Sequence, residues 1–107
     1  QSVSVVEKAR NYIDSHYNKK DISLDEVSRS VDISSYYFSK IFKEETGRNF
    51  VEYLTEIRMN RARELLAVTE LSMKEICGEV GYSDPNYFSR IFKKHTGLTP
   101  TEYKEKK

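Results

Sequence analysis

Cysteine is almost absent: Cys77 stands alone, so no internal disulfide can form, and the chain is not a small secreted scaffold held by bridges. Long hydrophobic runs are missing altogether. Nothing approaches the roughly 18 consecutive apolar residues of a membrane span, and no apolar core beside a basic start marks a secretory leader. The expectation is a soluble protein of a reducing cytoplasm with no membrane partner. Proline and glycine are scarce, two and four in 107 residues, while 33% of residues are charged. Few helix breakers and many charges describe helices with solvated outer faces.

An excess of charge of one sign is missing too. Eighteen Lys and Arg face 17 Asp and Glu, a net charge of +1, so bulk attraction says little about nucleic acid and the placement of individual cations must decide. At 107 residues there is room for a real core but not for a separate substrate-binding body. The chain opens on Gln1 rather than Met, and the expectation is a segment of a longer polypeptide.

Internal repetition is what the sequence has in abundance. Residues 22–54, ISLDEVSRSVDISSYYFSKIFKEETGRNFVEYL, recur as residues 71–104, LSMKEICGEVGYSDPNYFSRIFKKHTGLTPTEYK, with one extra residue falling at Asp84 and Pro85 against Ser35. Val31 and Val80, Phe38 and Phe88, Phe42 and Phe92, and Gly47 and Gly97 are among the identical pairs. Each copy reads as two short helices. The first opens on a capping box, Ser23 to Glu26 or Ser72 to Glu75, and carries Leu24, Val27 and Val31, or Met73, Ile76 and Val80, on one face. After a tight turn at Asp32-Ile33 or Gly81-Tyr82, the second starts at Ser34 or at Asp84, where an Asp cap followed by proline is a strong start signal. Its inward face is Phe38, Ile41 and Phe42, or Phe88, Ile91 and Phe92, and Tyr37 and Tyr87 are expected in the core beside them. Gly47 and Gly97 stand where a left-handed C-terminal cap is wanted.

Asn49 to Val68 reads as one long connecting helix, Ser4 to Tyr17 as a leading helix, and Thr99 onward as a short last one. The fold class expected is all-α, with seven helices and no strand. Its divisions are a first subdomain at 1–54, a connecting helix at 50–68 and a second subdomain at 69–107.

A short helix, a tight turn and a second helix form the helix-turn-helix pattern, whose second helix enters the DNA major groove. Off its apolar face the second helix shows Tyr36, Ser39, Lys40 and Lys43 in the first copy, and Asn86, Ser89, Arg90 and Lys93 in the second. Both sets follow i, i+3, i+4, i+7, so each forms one stripe. Arg90 has the fork to donate twice to guanine O6 and N7, Asn86 matches adenine N6 and N7, and Ser39 and Ser89 can bond to either kind of base. Lys40 lacks that fork and is a looser reader of guanine. Tyr36 suits a thymine methyl or a phosphate. Lys43, Lys93, Lys94, Arg58 and Arg61 are expected on backbone phosphates, which set register without carrying sequence information.

With these motifs the chain resembles the DNA-binding domain of the AraC/XylS family of bacterial transcription regulators over essentially its whole length. The likeness is densest in residues 58–104, RMNRARELLAVTELSMKEICGEVGYSDPNYFSRIFKKHTGLTPTEYK. The resemblance implies seven helices, two homeodomain-like helix-turn-helix units joined by a long helix, and recognition helices in successive major-groove segments of double-stranded DNA. Family base-contacting positions fall on Tyr36, Ser39, Lys40, Pro85, Asn86, Ser89 and Arg90, and Pro85 has no side-chain donor with which to read a base. The resemblance also implies an activator that meets RNA polymerase, and a sensing, dimerising or phosphorylation-receiving domain elsewhere in the polypeptide. Cys77 stands where the family usually has alanine.

No enzyme is legible. Cys77 lies beside Ile76 on an apolar face and reads as packing. His16 and His95 lack ligand spacing and read as surface residues, so no metal and no cofactor are expected. No nucleophile with its base, and no glycine-rich phosphate loop, occurs. A helical adaptor for another protein would show an apolar outer patch, whereas both stripes are polar and cationic.

Local charge separates the two copies. Residues 34–45 carry Lys40 and Lys43 against Glu44 and Glu45, whereas residues 84–95 carry Arg90, Lys93 and Lys94 against Asp84. In a salt titration of duplex binding, replacing Lys93 and Lys94 together with alanine should flatten the slope more than replacing Lys40 and Lys43 together. The opposite order would move the dominant phosphate contacts to the first copy.

Overall fold

The computed structural model describes residues 4–106. Its elements are α1 (Val5–His16), α2 (Leu24–Ser30), α3 (Ser35–Thr46), α4 (Phe50–Val68), α5 (Met73–Glu79), α6 (Pro85–Thr96) and α7 (Pro100–Lys106). No strand occurs among the described residues, and no helix there is long and apolar enough to cross a membrane.

The helices begin and end where short polar side chains satisfy the orphan backbone groups. The Ser4, Ser23, Ser34 and Ser72 hydroxyls each accept from the amide three residues on, at 3.1 Å. Glu75 returns the bond to the Ser72 amide at 2.8 Å, and Asn49 with Glu52 and Thr99 with Glu102 exchange bonds in the same reciprocal way. α3 and α6 both stop at a left-handed glycine, Gly47 at φ 77° and Gly97 at φ 87°.

The chain divides into two compact units between Ile57 and Arg58. In the first, Val6, Ala9 and Ile13 of α1, Ile22, Val27 of α2, Phe38 and Phe42 of α3, and Phe50 and Leu54 of α4 form the buried core. In the second, Met59, Ala62, Leu65 and Leu66 of α4 meet Ile76, Cys77 and Val80, then Phe88 and Phe92 of α6. The boundary therefore falls inside α4, whose two halves serve different cores. A division at 54 and 69 with a connector between does not describe this. The residues after 57 are the second unit's first helix, because their apolar face is spent on that unit.

The repetition consequently covers four helical segments per unit. α1 corresponds to the C-terminal half of α4, α2 to α5, α3 to α6, and the N-terminal half of α4 to α7. Side-chain geometry repeats as well. Phe42 takes Tyr53 edge-on at 5.2 Å and 88°, and Phe92 takes Tyr103 at 5.4 Å and 87°. Thr46 donates to the carbonyls of Phe42 and Arg48, and Thr96 to those of Phe92 and Leu98; each threonine hydroxyl has one proton to share between its two acceptors.

One expected capping box is only half made. Ser23 caps α2, but the Glu26 carboxylate turns away to accept from Lys19 Nζ at 2.7 Å and Tyr12 Oη at 2.5 Å. It thereby ties α2 to α1 and the turn between them. Lys19 first, then Tyr12, holds that carboxylate below the ordinary glutamate range. A carboxylate depressed in the folded state contributes stability that is present above its unfolded value and is lost as pH falls through the folded one. Acid titration of folding should thus show a flatter acid limb in Glu26→Gln than in the parent chain. An unchanged limb would mean that the Lys19 and Tyr12 contacts contribute nothing to folding.

Candidate nucleic-acid interface

The turn between the paired helices decides where the second one points. In the first unit it is closed by Asp32 in a left-handed conformation, φ 61°, and by the Ile33 amide donating to the Ser28 carbonyl at 3.2 Å. Ser35, the first residue of α3, donates its hydroxyl to the Asp25 carboxylate, and the Ser28 and Ser35 oxygens lie 3.1 Å apart. These short polar links pin α2 to the start of α3.

The second unit reaches the same shape differently. Its turn holds one more residue, Ser83, so the extra position lies in the turn and not at Asp84 and Pro85, which are the cap and first residue of α6. Gly81 takes φ 107°, and the Tyr82 amide donates to the Cys77 carbonyl at 2.9 Å. The buried Cys77 thiol donates to the Tyr82 carbonyl at 3.4 Å, so that cysteine packs under the turn.

Arg58 lies beneath this turn as well. It was expected on a phosphate, but only 6% of it is exposed, and its guanidinium sits over the Tyr82 ring, 4.8 Å from the centroid. Spacing alone could not show this. The planar, weakly hydrated guanidinium can be buried against an aromatic face where an ammonium would resist.

The remaining positions face outward on their own units. Phe38 and Phe42 are fully buried, which turns the opposite side of α3 to solvent: Tyr36 is 84% exposed, and Ser39, Lys40 and Lys43 are exposed with it. Phe88 and Phe92 do the same for α6, leaving Asn86, Arg90, Lys93 and Lys94 exposed and Ser89 half-buried. The Asp84 carboxylate accepts from the Asn86 amide at 2.9 Å and holds the start of α6. Among the described residues none of Lys40, Lys43, Arg90, Lys93 and Lys94 forms a salt bridge, whereas Arg61 is engaged with Glu64 at 2.8 Å. Surface cations without a carboxylate partner are available to phosphates.

Two tyrosines depart from expectation. Tyr37 and Tyr87 are 52% and 45% exposed, beside the polar stripes and not inside. Each lies about 100° around the helix from the following phenylalanine, on the flank of the apolar arc. With Phe38, Ile41 and Phe42 already filling that arc, the spacing carried the signal. His16 is half-buried, stacked on Tyr12 at 4.0 Å, while His95 is exposed. No group of residues suited to a metal ion occurs among the described residues.

Known proteins share the sequence pattern and the fold of this chain. The model of a helix-turn-helix domain family matches residues 27–106. The regulatory protein PocR of Salmonella typhimurium is 37% identical over 103 residues, covering 96% of this chain and 34% of PocR. The chain thus spans about a third of that relative's length. The C-terminal domain of AraT, a response regulator from Geobacillus stearothermophilus, superposes with a TM-score of 0.95 at 40% identity, covering 98% of this chain and 87% of that one. The DNA-binding domain of the global transcriptional factor AdpA, solved in complex with a target DNA, shares the fold with a TM-score of 0.90 at 19% identity, covering 96% and 92%.

The turn of the second unit makes a graded stability prediction. Gly81→Ala should cost more than the roughly 1–2 kcal/mol of a left-handed alanine, because its methyl would lie 2.8 Å from Arg58 Nη2. Gly47→Ala has the same backbone problem but meets no atom within 4 Å. Urea unfolding of the two variants measures the difference, and equal losses would mean that Arg58 yields freely.

Proposed function

We propose, on the premise that this chain belongs to the AraC-type helix-turn-helix family of transcription regulators, that α3 and α6 are its two recognition helices, each entering its own segment of the major groove. The chain is a sequence-specific DNA-binding domain for transcription regulation. The observation that carries the finer reading is the duplicated outward stripe. In both units buried phenylalanines turn hydrogen-bonding side chains and carboxylate-free cations to solvent at the groove-entering end of a helix.

Tyr36, Ser39 and Lys40 read bases from α3, and Asn86, Ser89 and Arg90 from α6. Lys43, Lys93 and Lys94 hold phosphates, with Arg61 a further phosphate contact once it exchanges Glu64 for the duplex. Arg58 has no part in this surface. Because the two sets of reading residues differ, the natural site is asymmetric and one molecule occupies it. The domain acts by binding, not by catalysis, in the cytoplasm. Its input comes from a sensor or receiver domain of a longer regulator, and its output is a contact with RNA polymerase.

Footprinting on a duplex selected from a random pool tests the pair of helices together with one residue. Two protected segments about 10 base pairs apart, centre to centre, are expected. Arg90→Ala should cost roughly 1–3 kcal/mol at one base position and relax the preference there. A single short protected segment would mean that only one unit binds, and an equal loss on random DNA would make Arg90 a phosphate contact.

A further inference from the structure

Tyr87, which belongs to neither the buried core nor the polar stripe, lies between a residue packed against the one and a residue of the other. On one side its ring meets Tyr82 of the turn, with centroids 5.8 Å apart and planes at 57°. On the other, the Arg90 guanidinium stands 5.9 Å from the Tyr87 centroid, within cation–π reach. Tyr82 is itself held from below, by Arg58 at 4.8 Å and by the buried Phe88 ring at 5.8 Å. The four side chains Arg58, Tyr82, Tyr87 and Arg90 therefore form a continuous ladder of cation, ring, ring and cation. It runs from the interior of the second unit to its exposed face.

We propose that this ladder is a specificity device: Tyr87 is a positioning residue that holds the Arg90 fork for one base, and Tyr82 with Arg58 holds Tyr87. The proposal rests on the reading of Arg90 as a base contact. An exposed arginine has several rotatable bonds and loses that freedom when it makes a bidentate contact, so a shelf that restricts it beforehand lowers the cost of correct docking. The cost is lowered only for the base that the preset fork fits. Discrimination therefore rises at that position while attraction to phosphates stays the same. The first unit has the corresponding tyrosine, Tyr37, but with Ile33 in the turn and Lys40 three residues on. It lacks both the second ring and the fork that such a shelf would serve, so strict reading is concentrated in the second unit.

The test uses the 107-residue chain and a duplex selected from a random pool, with affinities compared for the four bases at the position where Arg90→Ala relaxes preference. Tyr87→Leu, which keeps a helix-compatible apolar side chain, is expected to reduce discrimination there by about two- to fivefold, the size of an exposed cation–π contact. Binding to random duplex should be unchanged, and Tyr87→Leu should add nothing on top of Arg90→Ala. Tyr87→Phe keeps the ring and should behave as the parent chain. Tyr82→Leu should reproduce part of the loss at the same base position, with helix content checked by circular dichroism. A Tyr87→Phe loss as large as that of Tyr87→Leu would overturn the ladder in favour of a direct hydroxyl contact, and so would additivity with Arg90→Ala. If Arg90→Ala changes no base preference, the base-reading premise falls. If it does and Tyr87→Leu does not, only the ladder falls.

Discussion

A pair of phenylalanines one helical turn apart sets the rotation of α3, and a second pair that of α6, about its own axis, and everything on the outer surface of those helices follows from that rotation. Phe38 with Phe42, and Phe88 with Phe92, are fully buried and pack on each other as tilted rings with centroids 5.2 and 5.9 Å apart. Losing one such side chain costs roughly 3–5 kcal/mol, a large part of the roughly 5–15 kcal/mol that holds a domain together. The helix therefore cannot turn to bury its polar stripe. Tyr53 and Tyr103 brace the second ring of each pair edge-on, so the last segment of each unit also locks α3 or α6 in place. Stability and the presentation of the polar stripes are here one property.

Conserving that core between the two units leaves the turn and the stripe open to diverge. The first unit fastens its turn with hydroxyls and a carboxylate, Ser28, Ser35 and Asp25. The second fastens it with packed groups, Cys77, Tyr82 and the buried Arg58. The exposed stripes diverge in parallel, lysine and tyrosine on α3 against arginine and asparagine on α6. Two copies of one scaffold thus carry two surface chemistries.

α4 shows how economical the arrangement is. Its first half closes one core and its second half opens the next, so one uninterrupted helix is an end segment and a beginning segment at once. Its apolar residues face different partners in the two halves, and the helix as a whole is only weakly one-sided. Periodicity therefore marks it as a helix without saying where one unit stops.

Local chemistry in the sequence determined the seven helices, their caps, the repeat, the buried phenylalanines and the polar stripes, because each depends on spacing within one helix or on contacts a few residues apart. The solvent-facing side of α3 and α6 was legible for that reason: it is what remains once the apolar arc is assigned. Tertiary structure decided what depends on partners distant in the chain. Arg58 has the spacing of a phosphate contact, but the Tyr82 ring, 24 positions on, lies against its guanidinium and buries it. Tyr37 and Tyr87 sit on the flank of an arc, where burial is set by how much of that flank the neighbouring helix covers. Glu26 chose Lys19 and Tyr12 over its own helix cap. A side chain with two physically reasonable partners is resolved only when folding brings one of them within reach.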